Sequence, residues 1–127
     1  MSLPQKVKTI ISETLFAPTV NSYIVDVPNH GTVVIRQNGN YPGINLSGAN
    51  LSGLSLTGIN LSGARLTNAN LSGANLHQAN LSGAVLTGAN LTNAKLDGAK
   101  LNGAAINGVT YAIPPSGINL AEIKKND

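Results

Sequence analysis

The chain has 127 residues, 8 Lys and Arg against 5 Asp and Glu, a formal net charge of +3, 10% charged residues, one Phe and no cysteine. That length fits one domain, and the missing cysteines exclude a disulfide framework, a thiolate zinc site and a cysteine nucleophile. No stretch is long and apolar enough to span a membrane, and Val7 to Phe16, broken by Lys8, Ser12 and Glu13, is no signal-peptide core.

In chain order, the first element expected is a helix over residues 2–15. Val7, Ile10, Ile11 and Leu15 fall at helical spacing, Ser2 with Gln5 resembles a capping box, Pro4 sits in the first turn, and Pro18 ends the run. Asn21 to Val27 and Thr32 to Gln37 are rich in β-branched residues and flank Pro28-Asn29-His30-Gly31, which predicts a hairpin with a four-residue loop. Asn38-Gly39-Asn40 then turns the chain.

From Ile44 to Gly108 the sequence is thirteen five-residue units without a gap: INLSG, ANLSG, LSLTG, INLSG, ARLTN, ANLSG, ANLHQ, ANLSG, AVLTG, ANLTN, AKLDG, AKLNG and AAING. The third residue is Leu in twelve and Ile106 in the last; the first is Ala except at Ile44, Leu54 and Ile59. Neither a helix nor a straight strand keeps a five-residue pattern on one face. The first and third residues have strand spacing, so holding every Leu inside requires a corner in each unit. The fifth residue marks it: Gly in ten units and Asn in two, Asn68 and Asn93. These accept the positive φ that a type II turn needs at its third position, which predicts type II corners throughout and a different geometry at Leu76 to Ala79, where Gln78 replaces Gly.

A strand piece and a corner, repeated, wind into a solenoid with Leu along its axis. These residues resemble the A-(D/N)-L-X-X signature of the pentapeptide-repeat family, whose uniform ANLSG-like members are numerous in cyanobacteria. The resemblance implies an all-β solenoid, a right-handed four-sided β-helix with four units per coil, here with a small α+β N-terminal cap and a short C-terminal helix. It covers Ile44 to Gly108 and extends to a degenerate unit over Val109 to Ile113. The expected organisation is a cap over residues 1–43, the β-helix over 44–113 and a C-terminal cap over 114–127. Pro114-Pro115 stops the ladder because neither can donate to it, and Asn119 with Glu122, flanked by Ile118 and Ile123, marks the terminal helix.

Little of the chain is free to carry chemistry. Glu13, Asp26, Asp97, Glu122 and Asp127 form no catalytic pair in the sequence, His30 and His77 have no metal-ligand partner nearby, and the periodic Gly forms no phosphate loop. The expectation is a protein with no enzymatic activity, no catalytic or metal residues, no cofactor and no small-molecule substrate. Six Asn-Leu-Ser/Thr triplets, starting at Asn45, Asn50, Asn60, Asn70, Asn80 and Asn90, would attract crowded glycans in a eukaryotic secretory route, which favours a cytoplasmic, bacterial setting.

Some members of the resembled family imitate DNA and inhibit type II topoisomerases, which requires an acidic rod. Here the repeats hold Arg65, Lys95 and Lys100 against Asp97, the wrong sign for a phosphate mimic and too sparse for nucleic-acid binding. Columns such as Asn50, Asn70 and Asn90, with Ser52, Ser72 and Thr92 beside them, suggest an ordered-water or ice-binding lattice as a weaker alternative. The remaining reading is a structural or protein-interaction module whose partner is another protein or a second copy. Its candidate interface starts from the second position of the unit, which points outward and is usually polar. Val85 and Ala105 occupy it four units apart and should adjoin, forming an apolar patch that receives either Ile118, Leu120 and Ile123 or the same surface of a second subunit.

Overall fold

The computed structural model of the chain describes residues 22–111 and 116–117. The helices expected over 2–15 and after Asn119 lie outside the described residues, as do Pro114, Pro115, Ile118, Leu120 and Ile123.

The expected hairpin is present. Strand β1 (Ser22–Val27) pairs antiparallel with β2 (Gly31–Arg36), with Val27 opposite Gly31, Val25 opposite Val33 and Tyr23 opposite Ile35. The loop is one residue shorter than expected because Gly31 joins the strand. Asn29, at φ 67, forms the tight point, and the His30 N–H closes it on the Val27 carbonyl at 2.8 Å. Strand alternation sends Tyr23, Val25, Val27 and Ile35 into the core, where all four are buried.

Beyond the hairpin the chain winds into coils of twenty residues. Parallel bridges join Asn40 to Asn60, Asn60 to Asn80 and Asn80 to Lys100, and the same spacing repeats on the other three sides. Twenty residues in five-residue units make a four-sided coil. All thirteen third-position residues from Leu46 to Ile106 are buried, as is the first position in nearly every unit. The ladder begins one unit before the strict repeat: Tyr41 takes the place of Leu, Pro42 and Gly43 form the corner, and Asn40 already pairs with Asn60. Its last described bridge, Lys95 to Ser116, spans 21 residues.

Each corner has positive φ at its third residue alone and an N–H to carbonyl bond from its fourth residue to its first, the type II pattern. Gln78 is a correction to the sequence reading. Its φ is 59, beside 60 at Asn68 and Asn93, and Ala79 N–H bonds the Leu76 carbonyl at 2.9 Å, so this corner is like the rest. Corner bond lengths instead follow the next residue: 2.9–3.0 Å where it is Ala, but 3.2–3.3 Å before Ile44, Leu54, Ile59 and Val109. A bulky first position holds the corner slightly open.

The unit Ala74 to Gln78 shows where every backbone N–H goes. Ala74 bonds back to Leu71 across the corner at 3.0 Å, Asn75 bonds the preceding coil at Leu54 (2.9 Å), and Leu76 and Gln78 bond the following coil at Lys95 (2.8 Å) and Asp97 (2.9 Å). The fourth N–H, of His77, has only the side chain of its own Asn75, at 3.1 Å.

Candidate interaction face

The second residue of each unit faces outward, and the bridges sort these residues into four columns. One is Asn40, Asn60, Asn80 and Lys100; a second is Asn50, Asn70, Asn90 and Thr110; a third is Ser55, Asn75, Lys95 and Ser116. The fourth is Asn45, Arg65, Val85 and Ala105, so the structure brings Val85 and Ala105 together as direct ladder partners. Both are half-buried.

Most of the amide surface is engaged in holding the coil. The side-chain oxygens of Asn45, Asn50, Asn60, Asn70, Asn80 and Asn90 each accept the fourth-residue N–H of their own unit at 3.0 Å. These are Asx turns, a local role for Asn beyond compatibility with solvent. In the second column the hydroxyls of Ser52, Ser72 and Thr92 also donate to the same Asn oxygens, at 2.7 Å. Their O–H groups are thus turned along the surface toward the coil's own amides.

The Val85 column departs from that arrangement. Arg65, Val85 and Ala105 supply no Asx oxygen, and the fourth-residue carbonyls stacked beside them belong to Thr67, Thr87 and Asn107. The face therefore sets an exposed guanidinium beside a valine and an alanine, flanked by Thr67 and Thr87, with no carboxylate in either column. Sequence reasoning found Val85 and Ala105 but missed Arg65, whose position twenty residues before Val85 was the available signal.

Elsewhere the chemistry is sparse. Among the described residues no group of three or more His, Cys, Asp or Glu is placed to hold a metal ion, and no helix is long and apolar enough to cross a membrane. Asp97 accepts a hydrogen bond from the Ser116 hydroxyl at 2.8 Å, and the His30 ring pairs with the Pro28 carbonyl at 3.0 Å.

The coil and its signature carry over to known proteins. The sequence model described as pentapeptide repeats (8 copies) matches residues 44–83 and 69–108, just over half the chain. The chain belongs to the pentapeptide-repeat family, and its coil is that family's right-handed, four-sided β-helix. Among solved structures it is similar to a pentapeptide repeat protein from the cyanobacterium Cyanothece 51142, at 35% identity over 59% of this chain and 58% of that one, with a TM-score of 0.43. A pentapeptide repeat protein from Nostoc PCC 7120 is 31% identical over 66% of this chain and 80% of its own, with a TM-score of 0.36. HetL, involved in heterocyst differentiation regulation in Nostoc sp. strain PCC 7120, is 30% identical over 62% of this chain and 42% of its own, with a TM-score of 0.24. The chain thus spans under two thirds of the first of these. No curated protein matches it significantly.

Proposed function

We propose that the chain is a non-enzymatic protein-interaction module, working in a cytoplasmic setting through the face formed by Arg65, Val85 and Ala105. The observation that carries this reading is the contrast between faces. Where Asn fills the second position, its oxygen is occupied by the coil, whereas this face presents two half-buried apolar side chains and an exposed cation that supply no such oxygen. Its chemistry fits a protein surface that is apolar at its centre and brings a carboxylate to Arg65, from a different protein or from a second copy.

An acidic DNA mimic is poorly supported: the described charges are Arg36, Arg65, Lys95 and Lys100 against Asp26 and Asp97. The hydroxyl protons of Ser52, Ser72 and Thr92, already donated to neighbouring Asn oxygens along the surface, argue in the same way against an ordered-water lattice.

The test compares the unmodified chain with Val85→Asp, Arg65→Glu and, on another face, Lys95→Glu. Molar mass by light scattering should change for the first two and not for the third if the partner is a second copy, and capture from the source lysate should do so if it is a different protein. If none of the three alters either measurement, the face is ordinary surface.

A further inference from the structure

The hairpin has two faces, and only one is accounted for. Its inner face closes the N-terminal end of the coil: Tyr23, Val25, Val27 and Ile35 are buried there, the Tyr23 hydroxyl accepts the Ser55 N–H at 3.2 Å, and the Pro28 ring lies over Gly48. The outer face sets Ile24 directly opposite Val34, and Val34 is 49% exposed, the most open large apolar side chain among the described residues. Facing β-branched residues form one apolar spot.

Size decides what covers it. A stable interface between separate molecules takes about 800 Å² on each side, far more than two side chains offer. A segment already joined to Ser22 meets the spot at high effective concentration and needs no such area. The preceding sequence carries a matching stripe, Val7, Ile10, Ile11 and Leu15, with Lys8, Ser12 and Glu13 between its members. Six residues lie between Leu15 and Ser22; fully extended, the seven steps reach about 23 Å, enough to return along a strand of about 20 Å.

We propose that the stripe of residues 7–15 packs on Ile24 and Val34, so that the N-terminal cap has two layers, the segment on the hairpin and the hairpin on the coil.

The chain has no cysteine, so introduced pairs report cleanly. In the full chain, Val34→Cys combined with Ile10→Cys or Ile11→Cys should oxidise to an intrachain disulfide in several-fold higher yield than Val34→Cys combined with Ser12→Cys, which lies off the stripe. Equal yields for all pairs would overturn the proposal. Predominant interchain disulfides would also overturn it, in favour of a second copy. As an independent measurement, maleimide should label Val34→Cys several-fold faster when Ile10 and Ile11 are both Ser; an unchanged rate counts against the contact.

Discussion

A side chain at a corner of this coil lies against the coil that follows. Asn38 reaches toward Gly58, Asn68 toward Gly88 and Gln78 toward Gly98, and a Cβ added to any of these glycines would meet that side chain. A non-glycine corner is therefore compatible with glycine twenty residues later, and the sequence obeys this at 38, 68 and 78. Gln78 is tolerated for this reason: φ of 59 is accessible at modest cost, and Gly98 leaves room for its side chain. Gly88→Ala should cost more than Gly103→Ala. Both carry the penalty of positive φ, about 1 kcal/mol, but only Gly88 adds a contact with the Asn68 amide oxygen, whose side chain must rotate aside at a cost of roughly 0.5 to 1.5 kcal/mol, since a Cβ at Gly103 meets nothing. Adding Asn68→Gly should recover the difference, read as a coupling in urea melts. The Asx oxygens give a second prediction. Asn70→Ala removes the acceptor for the Ser72 N–H and hydroxyl and should cost about 1 to 2 kcal/mol, whereas Asn70→Asp keeps an acceptor and should cost less.

At the scale of elements, the repeat was legible because each position of the unit has one dominant requirement. Leu fills the axis, Ala lets the sides approach, and Gly supplies positive φ; these are short-range demands that recur every five residues. What escaped the reading depends on residues twenty apart. The room above Gln78 is set by Gly98, the surroundings of Val85 include Arg65, and the unit headed by Gly39 was hidden because Tyr41 stands where Leu is usual. The hairpin was found from its β-branched runs, but its role as a lid lies in a pair remote in sequence, the Tyr23 hydroxyl on the Ser55 N–H at 3.2 Å. Tyr23→Phe should lower stability by about 1 kcal/mol by leaving the Ser55 N–H without this acceptor. In the axis, Leu71→Ala should cost about 2 to 5 kcal/mol, since a fully buried side chain between neighbouring coils leaves a cavity that the flanking ladder bonds keep from collapsing. Thermal melts check both.

For the whole molecule, the bridges make the coil nearly one-dimensional, each turn resting on the one before and the one after. Phase therefore matters more to folding than length. Deleting residues 69–88 removes one complete coil. Asn68 then precedes Ala89, its side chain faces Gly108 in place of Gly88, Arg65 stacks on Ala105, and Asn50 on Asn90, all compatible with the columns already present. This variant should fold to the same β-rich circular dichroism per residue, with a lower melting temperature and a smaller urea m-value because less surface is buried. Deleting residues 69–86 removes almost as much chain but shifts the following units by two places. Third-position Leu then falls at the fifth, corner position, and the ladder keeps Leu inside only if Thr87 and Gly88 loop out at the junction. That variant should melt lower than the twenty-residue deletion although it retains more chain. Equal behaviour of the two deletions would mean that stability does not depend on the twenty-residue stacking. It would remove the basis for placing Val85 beside Ala105 and Arg65, and with it the proposed face.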